Sequence, residues 1–360
     1  MAAFRGTLLF FAVNLLVWTL PNPVAQTRPN IRIVTSVDLV QIPVTVFDGK
    51  GSVATNLDKS DFVVLEDGIE QRILHCDRER ESVSFVILDD LSSSMTKKIP
   101  FVQEATLSVL DPVEPQDHFR DEFSVFGIET RVSLLAPFTS DQRSLEQRLP
   151  SLLVPTNGST ALFDGIYAGV STLEREAMNK RRAVIIISDG GDNHSRYNLR
   201  EIKGFLQEAD VSVFAVMAGP TFDLSDLFAA PLNKPKGSPW PEKSSTQQQS
   251  PGFPLPISPN NYIGPAERHG PHNLKVLTEA TGGGVFTAHR LDDLPRIVKT
   301  ISLAVRYQYV LTYKPVQNAN AEVAGDGKAK WHKIRVELRP KDKFADYGIP
   351  YYKRGYSRIE

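Results

Sequence analysis

The sequence predicts an α/β protein: a doubly wound, mostly parallel sheet between two helix layers, joined to a small β-sandwich-like module built from the N- and C-terminal segments. Three observations predict it. Strands between Val83 and Ala304 are apolar throughout, which implies burial on both faces. They alternate with amphipathic helices, which implies parallel pairing through crossovers. Segments of alternating polarity flank this region at 31–78 and 306–360, each too short to close a sandwich alone.

At 41% hydrophobic and 23% charged the chain has the composition of a folded soluble protein, and its 360 residues fit two folded units or one large unit carrying insertions. Its net charge of -1 supplies no general attraction to nucleic acid. The lone cysteine, Cys76, excludes an internal disulfide framework and a multi-cysteine zinc site.

Residues 1–25 have the layout of a secretory signal: Arg5, an apolar run from Thr7 to Leu20, then prolines and Ala25. The run is shorter than the roughly 20 apolar residues a membrane helix needs, and Asn14 interrupts it, so cleavage near Ala25 is expected. Exported protein in the periplasm or outside the cell, with no stable membrane span, is the expectation; an uncleaved anchor is the weaker reading.

The N-terminal β segment, 31–78, alternates at Val37 and Leu39, then at Ile42, Val44 and Val46; the change of parity suggests a bulge near Val40. Asp48-Gly49 and Asp67-Gly68 read as hairpin turns, the second between Phe62–Leu65 and Ile69–Leu74. The central unit, 82–305, reads as strands at Val83–Leu88, Glu122–Ile128, Arg131–Leu135, Ala183–Ser188, Val211–Ala218 and Val285–Ala288. Helices are expected at Lys97–Leu110, Gln142–Leu149, Ala161–Asn179, Leu199–Glu208, Asn273–Thr281 and Asp292–Val305. An insertion at 231–271 carries ten of the 25 prolines and little that is apolar. The C-terminal segment, 306–360, reads as strands at Gln308–Tyr313 and Lys333–Leu338, expected to pair with the N-terminal ones.

Ligands in a doubly wound sheet bind at the carboxyl ends of the strands. The first such loop reads VSFVILDDLSSSM and delivers Asp90, Ser92 and Ser94 at alternate positions. Thr160, in GSTALFDGI, and Asp189, in IIISDGGDN, follow at the ends of later elements. Hydroxyl and carboxylate oxygens of this kind suit a hard divalent cation, Mg²⁺ or alternatively Mn²⁺ or Ca²⁺.

At these five residues the sequence resembles the von Willebrand factor type A domain, whose metal-ion-dependent adhesion site consists of Asp-x-Ser-x-Ser, a distant Thr and a distant Asp. The resemblance implies direct metal contacts from Ser92, Ser94 and Thr160, water-mediated ones from Asp90 and Asp189, and an open coordination position for a partner's carboxylate. Ser93 and Ser159 stand where that pattern commonly has glycine, and Leu91 is bulkier than usual. The whole chain is similar to the Acidobacterial VWFA-related family through the β segments Val44–Gly51 and Asp61–Gly68 and the strand Gln308–Pro315. The implied role is a non-enzymatic binding protein that captures an Asp or Glu of a protein partner. The competing readings are a metal-assisted hydrolase and a structural envelope component whose site is vestigial.

Several features have plainer readings. Ser92 and Ser94 could cap a helix. Asp192, His194 and Ser195 crowd one loop and lack the elbow of a catalytic triad. Gly282-Gly283-Gly284 reads as a helix stop and the tyrosine-rich end, 347–356, as terminal strand. Cys76 is expected to be buried and inert.

Overall fold

The computed structural model describes residues 39–48, 52–111, 119–219, 269–316, 329–340, 342–348 and 350–359. The readings at 1–25, Val37, Gly49 and most of 231–271 lie outside them.

Six strands make the central sheet: β5 (Val83–Asp90), β6 (Glu122–Ile128), β7 (Val132–Thr139), β8 (Arg181–Ile187), β9 (Ser212–Ala218) and β10 (Val285–Ala288). Their order is β10-β9-β8-β5-β6-β7. All neighbours are parallel except β6 and β7. All eight residues of β5 are buried, as its unbroken apolar run requires. Successive side chains point to opposite faces, so Phe85 and Ile87 join one core and Val86 and Leu88 the other. Helices α1 (Ile99–Leu110), α2 (Gln142–Leu152) and α6 (Leu294–Arg306) cover the first face. Helices α3 (Leu162–Glu176), α4 (Leu199–Glu208) and α5 (Gly270–Ala280) cover the second. From β5 the chain winds outward through β6 and then returns to β8 on the other side, so the switch point lies where β5 and β8 end.

Two four-stranded antiparallel sheets combine both ends of the chain. One has the order β13-β1-β11-β4 and the other β14-β12-β2-β3. Their members are β1 (Val40–Thr45), β2 (Phe62–Glu66), β3 (Ile69–Gln71), β4 (Ile73–Arg80), β11 (Tyr307–Tyr313), β12 (Ala329–Leu338), β13 (Tyr351–Tyr352) and β14 (Gly355–Ile359). Ile42, Val44, Phe62, Val64, Leu311, Tyr313, Ile334 and Val336 share one core. Neither end could bury these residues alone, which is why β1 takes β11 as partner across most of the sequence. The Thr45 hydroxyl donates to the Ala304 carbonyl of α6 at 2.6 Å and ties this module to the central unit.

Several elements depart from expectation. No bulge interrupts β1, which pairs with β11 in unbroken register from Val40 to Val44; Leu39 is simply exposed, so no change of parity is needed. The irregularity falls instead between Thr312 and Tyr313, where β11 meets β4. The strand expected at Ile69–Leu74 divides at Arg72, β3 staying beside β2 and β4 crossing to the other sheet. Beyond it β4 runs on to Arg80 as an edge strand, with Asp77 and Arg78 exposed and the half-buried Glu79 paired with Lys180 and Arg181. The strand expected at Arg131–Leu135 is longer, Val132–Thr139, and forms the antiparallel edge. Pro271, placed in the insertion, belongs to the first turn of α5, where its missing N–H costs no helical hydrogen bond.

The predicted punctuation is present where it is described. Asp67 and Gly68 both have positive φ, the mirror-image turn that suits a two-residue hairpin. Gly282 ends α5 with φ +80, and Gly283 N–H donates to the Thr278 carbonyl at 2.9 Å, a Schellman closure. Cys76 is half-buried and unpaired, and burial pushes its thiol up to about 11. Among the described residues no helix is long and apolar enough to cross a membrane.

Candidate functional site

The site is built where β5 and β8 end. Asp90, the last residue of β5, is fully buried. Its Oδ2 accepts from the Ser188 hydroxyl at 2.6 Å, and its Oδ1 accepts from the Ser92 N–H at 3.1 Å. Burial pushes this carboxyl up to about 6 against the opposing effect of those hydrogen bonds, and Asp189 adds repulsion. Ser92 is buried and its hydroxyl lies 3.3 Å from that of Ser94. Backbone bonds then stitch this turn to the next loop: Thr156 N–H to the Leu91 carbonyl at 2.8 Å, and Ser93 N–H to the Gly158 carbonyl at 3.0 Å.

That second loop carries Thr160, which is buried and gripped from the Asp189 side. Its N–H donates to Asn193 Oδ1 at 2.9 Å, and its carbonyl accepts from the N–H groups of Asn193 and His194, each at 3.0 Å. Asp189 is partly exposed; its Oδ1 accepts from Gly191 N–H at 3.2 Å and its Oδ2 stands 3.7 Å from Lys98 Nζ. Gly190 has φ +81, and a Cβ there would meet the Gly270 carbonyl oxygen at 2.4 Å, so only glycine lets α5 seat against this loop. The loops of Asp90, Ser92 and Ser94, of Thr160 and of Asp189 are thus hydrogen-bonded to one another at one edge of the sheet.

The residues present fit a hard divalent ion. Ligands about 2.1 Å from an octahedral Mg²⁺ lie roughly 3 Å from each other, close to the 3.3 Å between the Ser92 and Ser94 hydroxyls. Both Asp90 oxygens already accept hydrogen bonds, which suits contact through an ion's bound water. Ser92 makes no side-chain cap to the following turn, against the plain helix-cap reading.

Three residues around the site escaped the sequence reading. Ser188, Asn193 and Lys98 touch Asp90, Thr160 and Asp189 respectively. Asp89 is fully buried on the opposite face of β5, where Thr106 of α1 donates to its Oδ1 at 2.7 Å and its Oδ2 has no partner. Burial pushes that carboxyl up to about 8. Strand parity was the available signal, since a residue next to an edge-pointing Asp90 must face a helix layer. The Asp192–Ser195 loop is structural: Ser195 donates to Asp192 Oδ1, which accepts from Phe163 N–H at 3.2 Å, and Asp164 N–H donates to Ser195 Oγ at 3.1 Å. Both side chains therefore cap α3, and His194 is exposed.

Residues 85–191 match the family model described as von Willebrand factor type A domain. The matched span of this type A domain contains all five candidate residues. No curated protein sequence matches the chain. Among solved structures, the proximal thread matrix protein 1 from the mussel byssus is 14% identical, with 67% of this chain and 50% of that one covered and a TM-score of 0.40. This chain therefore spans about half the length of the byssus protein. The conserved hypothetical protein BatB from Bacteroides thetaiotaomicron is 17% identical, with 62% and 98% covered and a TM-score of 0.40. The PilB minor pilin from Streptococcus sanguinis is 10% identical, with 63% and 62% covered and a TM-score of 0.41.

Proposed function

We propose that the protein is an exported binding protein of the Acidobacterial VWFA-related kind, in which a Mg²⁺-type ion captures an acidic side chain of a protein partner. Ser92, Ser94 and Thr160 would hold the ion directly, and Asp90 and Asp189 would hold its waters. The observation that carries this reading is the hydrogen-bonded convergence of three hydroxyl and carboxylate loops at the β5–β8 switch point, inside the span that matches the type A family. A partner carboxylate would complete the octahedron by replacing a water, which makes recognition depend on the metal. The mode of action is ligation rather than catalysis: the carboxylates at this edge, Asp90 and Asp189, are taken up in holding the ion's waters.

The test is a pull-down from envelope extract by the full chain, with and without chelator, with free glutamate as competitor and Asp90→Ala as control. Capture should need the divalent ion, fall with glutamate and vanish in Asp90→Ala. Capture that persists in chelator would overturn the reading.

A further inference from the structure

At one end of the sandwich core the inward-facing positions change from apolar to ionisable. On β2 the buried alternates are Phe62, Val64 and then Glu66; on β12 they are Leu338, Val336, Ile334 and then His332. Glu66 is 6% exposed and His332 4%, so both point into the space that the apolar residues fill further along. Asp67 follows in the β2–β3 turn with its side chain 39% exposed, at the mouth of this pocket.

His332 Nδ1 lies 2.9 Å from Asp67 Oδ2 and 3.3 Å from Glu66 Oε1, and one ligand atom from each residue falls within 4.8 Å of the other two. Glu66 Oε1 also accepts from the Tyr356 hydroxyl at 2.9 Å, with Arg358 Nη1 at 3.9 Å. Glu66 Oε2 is buried with no partner at normal hydrogen-bond distance, and the buried Tyr313 hydroxyl, a neutral group turned toward Glu66 from the core, also lacks one. A buried carboxylate oxygen left in that state is costly, and the charge around it is unbalanced: two carboxylates face one imidazole and one distant guanidinium. A divalent cation would correct both.

The spacing suits one. Atoms bound to an ion at about 2.0–2.2 Å in tetrahedral or octahedral geometry lie roughly 2.9–3.5 Å apart. An imidazole nitrogen in the donor set favours Zn²⁺ and its neighbours over Mg²⁺ or Ca²⁺. We propose that Glu66, Asp67 and His332 bind a structural cation of the zinc class, distinct from the β5–β8 site, with water completing the shell on the Asp67 side. Such an ion would join two residues 265 positions apart, clipping the N-terminal turn to the C-terminal strand.

The rival is a protonated imidazole bridging two carboxylates, which binds no metal. The two separate by titrating Zn²⁺ into the chelator-treated full chain carrying Asp189→Ala, which disables the β5–β8 site. One equivalent should bind and raise the melting temperature, and Co²⁺ in its place should develop a visible ligand-field spectrum. Adding Asp67→Asn, which keeps a residue tolerant of positive φ in the turn, should weaken Zn²⁺ binding about tenfold or more. Glu66→Gln should do the same. Absence of Zn²⁺ uptake in the Asp189→Ala chain, or equal affinity after Asp67→Asn and Glu66→Gln, would overturn the proposal.

Discussion

Replacing Asp90 by asparagine should stabilise the metal-free protein at neutral pH. The folded carboxyl is raised from 3.8 to about 6, chiefly by burial, so between those values the folded state keeps a proton that the unfolded chain has lost. Its contribution to stability is therefore intact below pH 3.8, declines as pH rises toward 6, and stays reduced above. The gap corresponds to ~3 kcal/mol at pH 8. Asparagine does not titrate and escapes this loss, although one amide oxygen cannot accept from both Ser188 and Ser92 as the carboxylate does. The net gain should be ~1–3 kcal/mol at pH 8 and close to zero at pH 4. Asp89, raised to about 8, adds its own decline to both proteins; the Asp90 charge contributes to that rise, so Asp90→Asn also eases the Asp89 decline and adds to the gain. Urea unfolding at pH 4, 6 and 8 in chelator reads the difference. If Asp90→Asn is no more stable than wild type at pH 8, or if the difference does not grow with pH, burial of an ionised Asp90 is not the cost described.

Other expectations follow from the same geometry. In wild type, Mg²⁺ at a hundredfold excess over its dissociation constant should stabilise the fold by about 2.7 kcal/mol, and Asp189→Ala should abolish that gain in a thermal-shift assay while leaving the metal-free protein folded. His194→Ala should leave it unchanged, because that side chain is exposed and only its backbone reaches Thr160. Gly204 lies in α4 with open space around it, so Gly204→Ala should stabilise by ~0.5–1 kcal/mol, read by denaturant midpoint. Gly283→Ala should destabilise severely or prevent folding, since its Cβ would stand 1.9 Å from the Val213 carbonyl oxygen; a midpoint within about 0.5 kcal/mol of wild type would contradict the packing described.

The parts legible in the sequence share one property: their signals are local or ordered. Unbroken apolar runs in β5 and β8 announced burial on both faces, and Asp-Gly and Gly-Gly-Gly announced positive φ. Asp90, Ser92 and Ser94 could be read because they alternate within one loop, and Thr160 and Asp189 because each ends an element. Features that depend on partners far away in sequence were not legible. The charged stretch from His75 to Arg80 forms a strand only because β11 offers an edge to it. Ser188 looked like an ordinary strand end until its hydroxyl met Asp90 across the β5–β8 pair. Glu66 and His332 are ordinary residues of alternating strands, and nothing short of the β2–β12 register brings them together.

The most direct measurement is calorimetric titration of Mg²⁺ into the chelator-treated full chain, for wild type, Asp189→Ala, Thr160→Ala and His332→Gln. One Mg²⁺ per chain is expected in wild type and His332→Gln, with binding lost in Asp189→Ala and greatly weakened in Thr160→Ala. Equal Mg²⁺ binding in all four, or none in wild type, would contradict a cation site at the ends of β5 and β8.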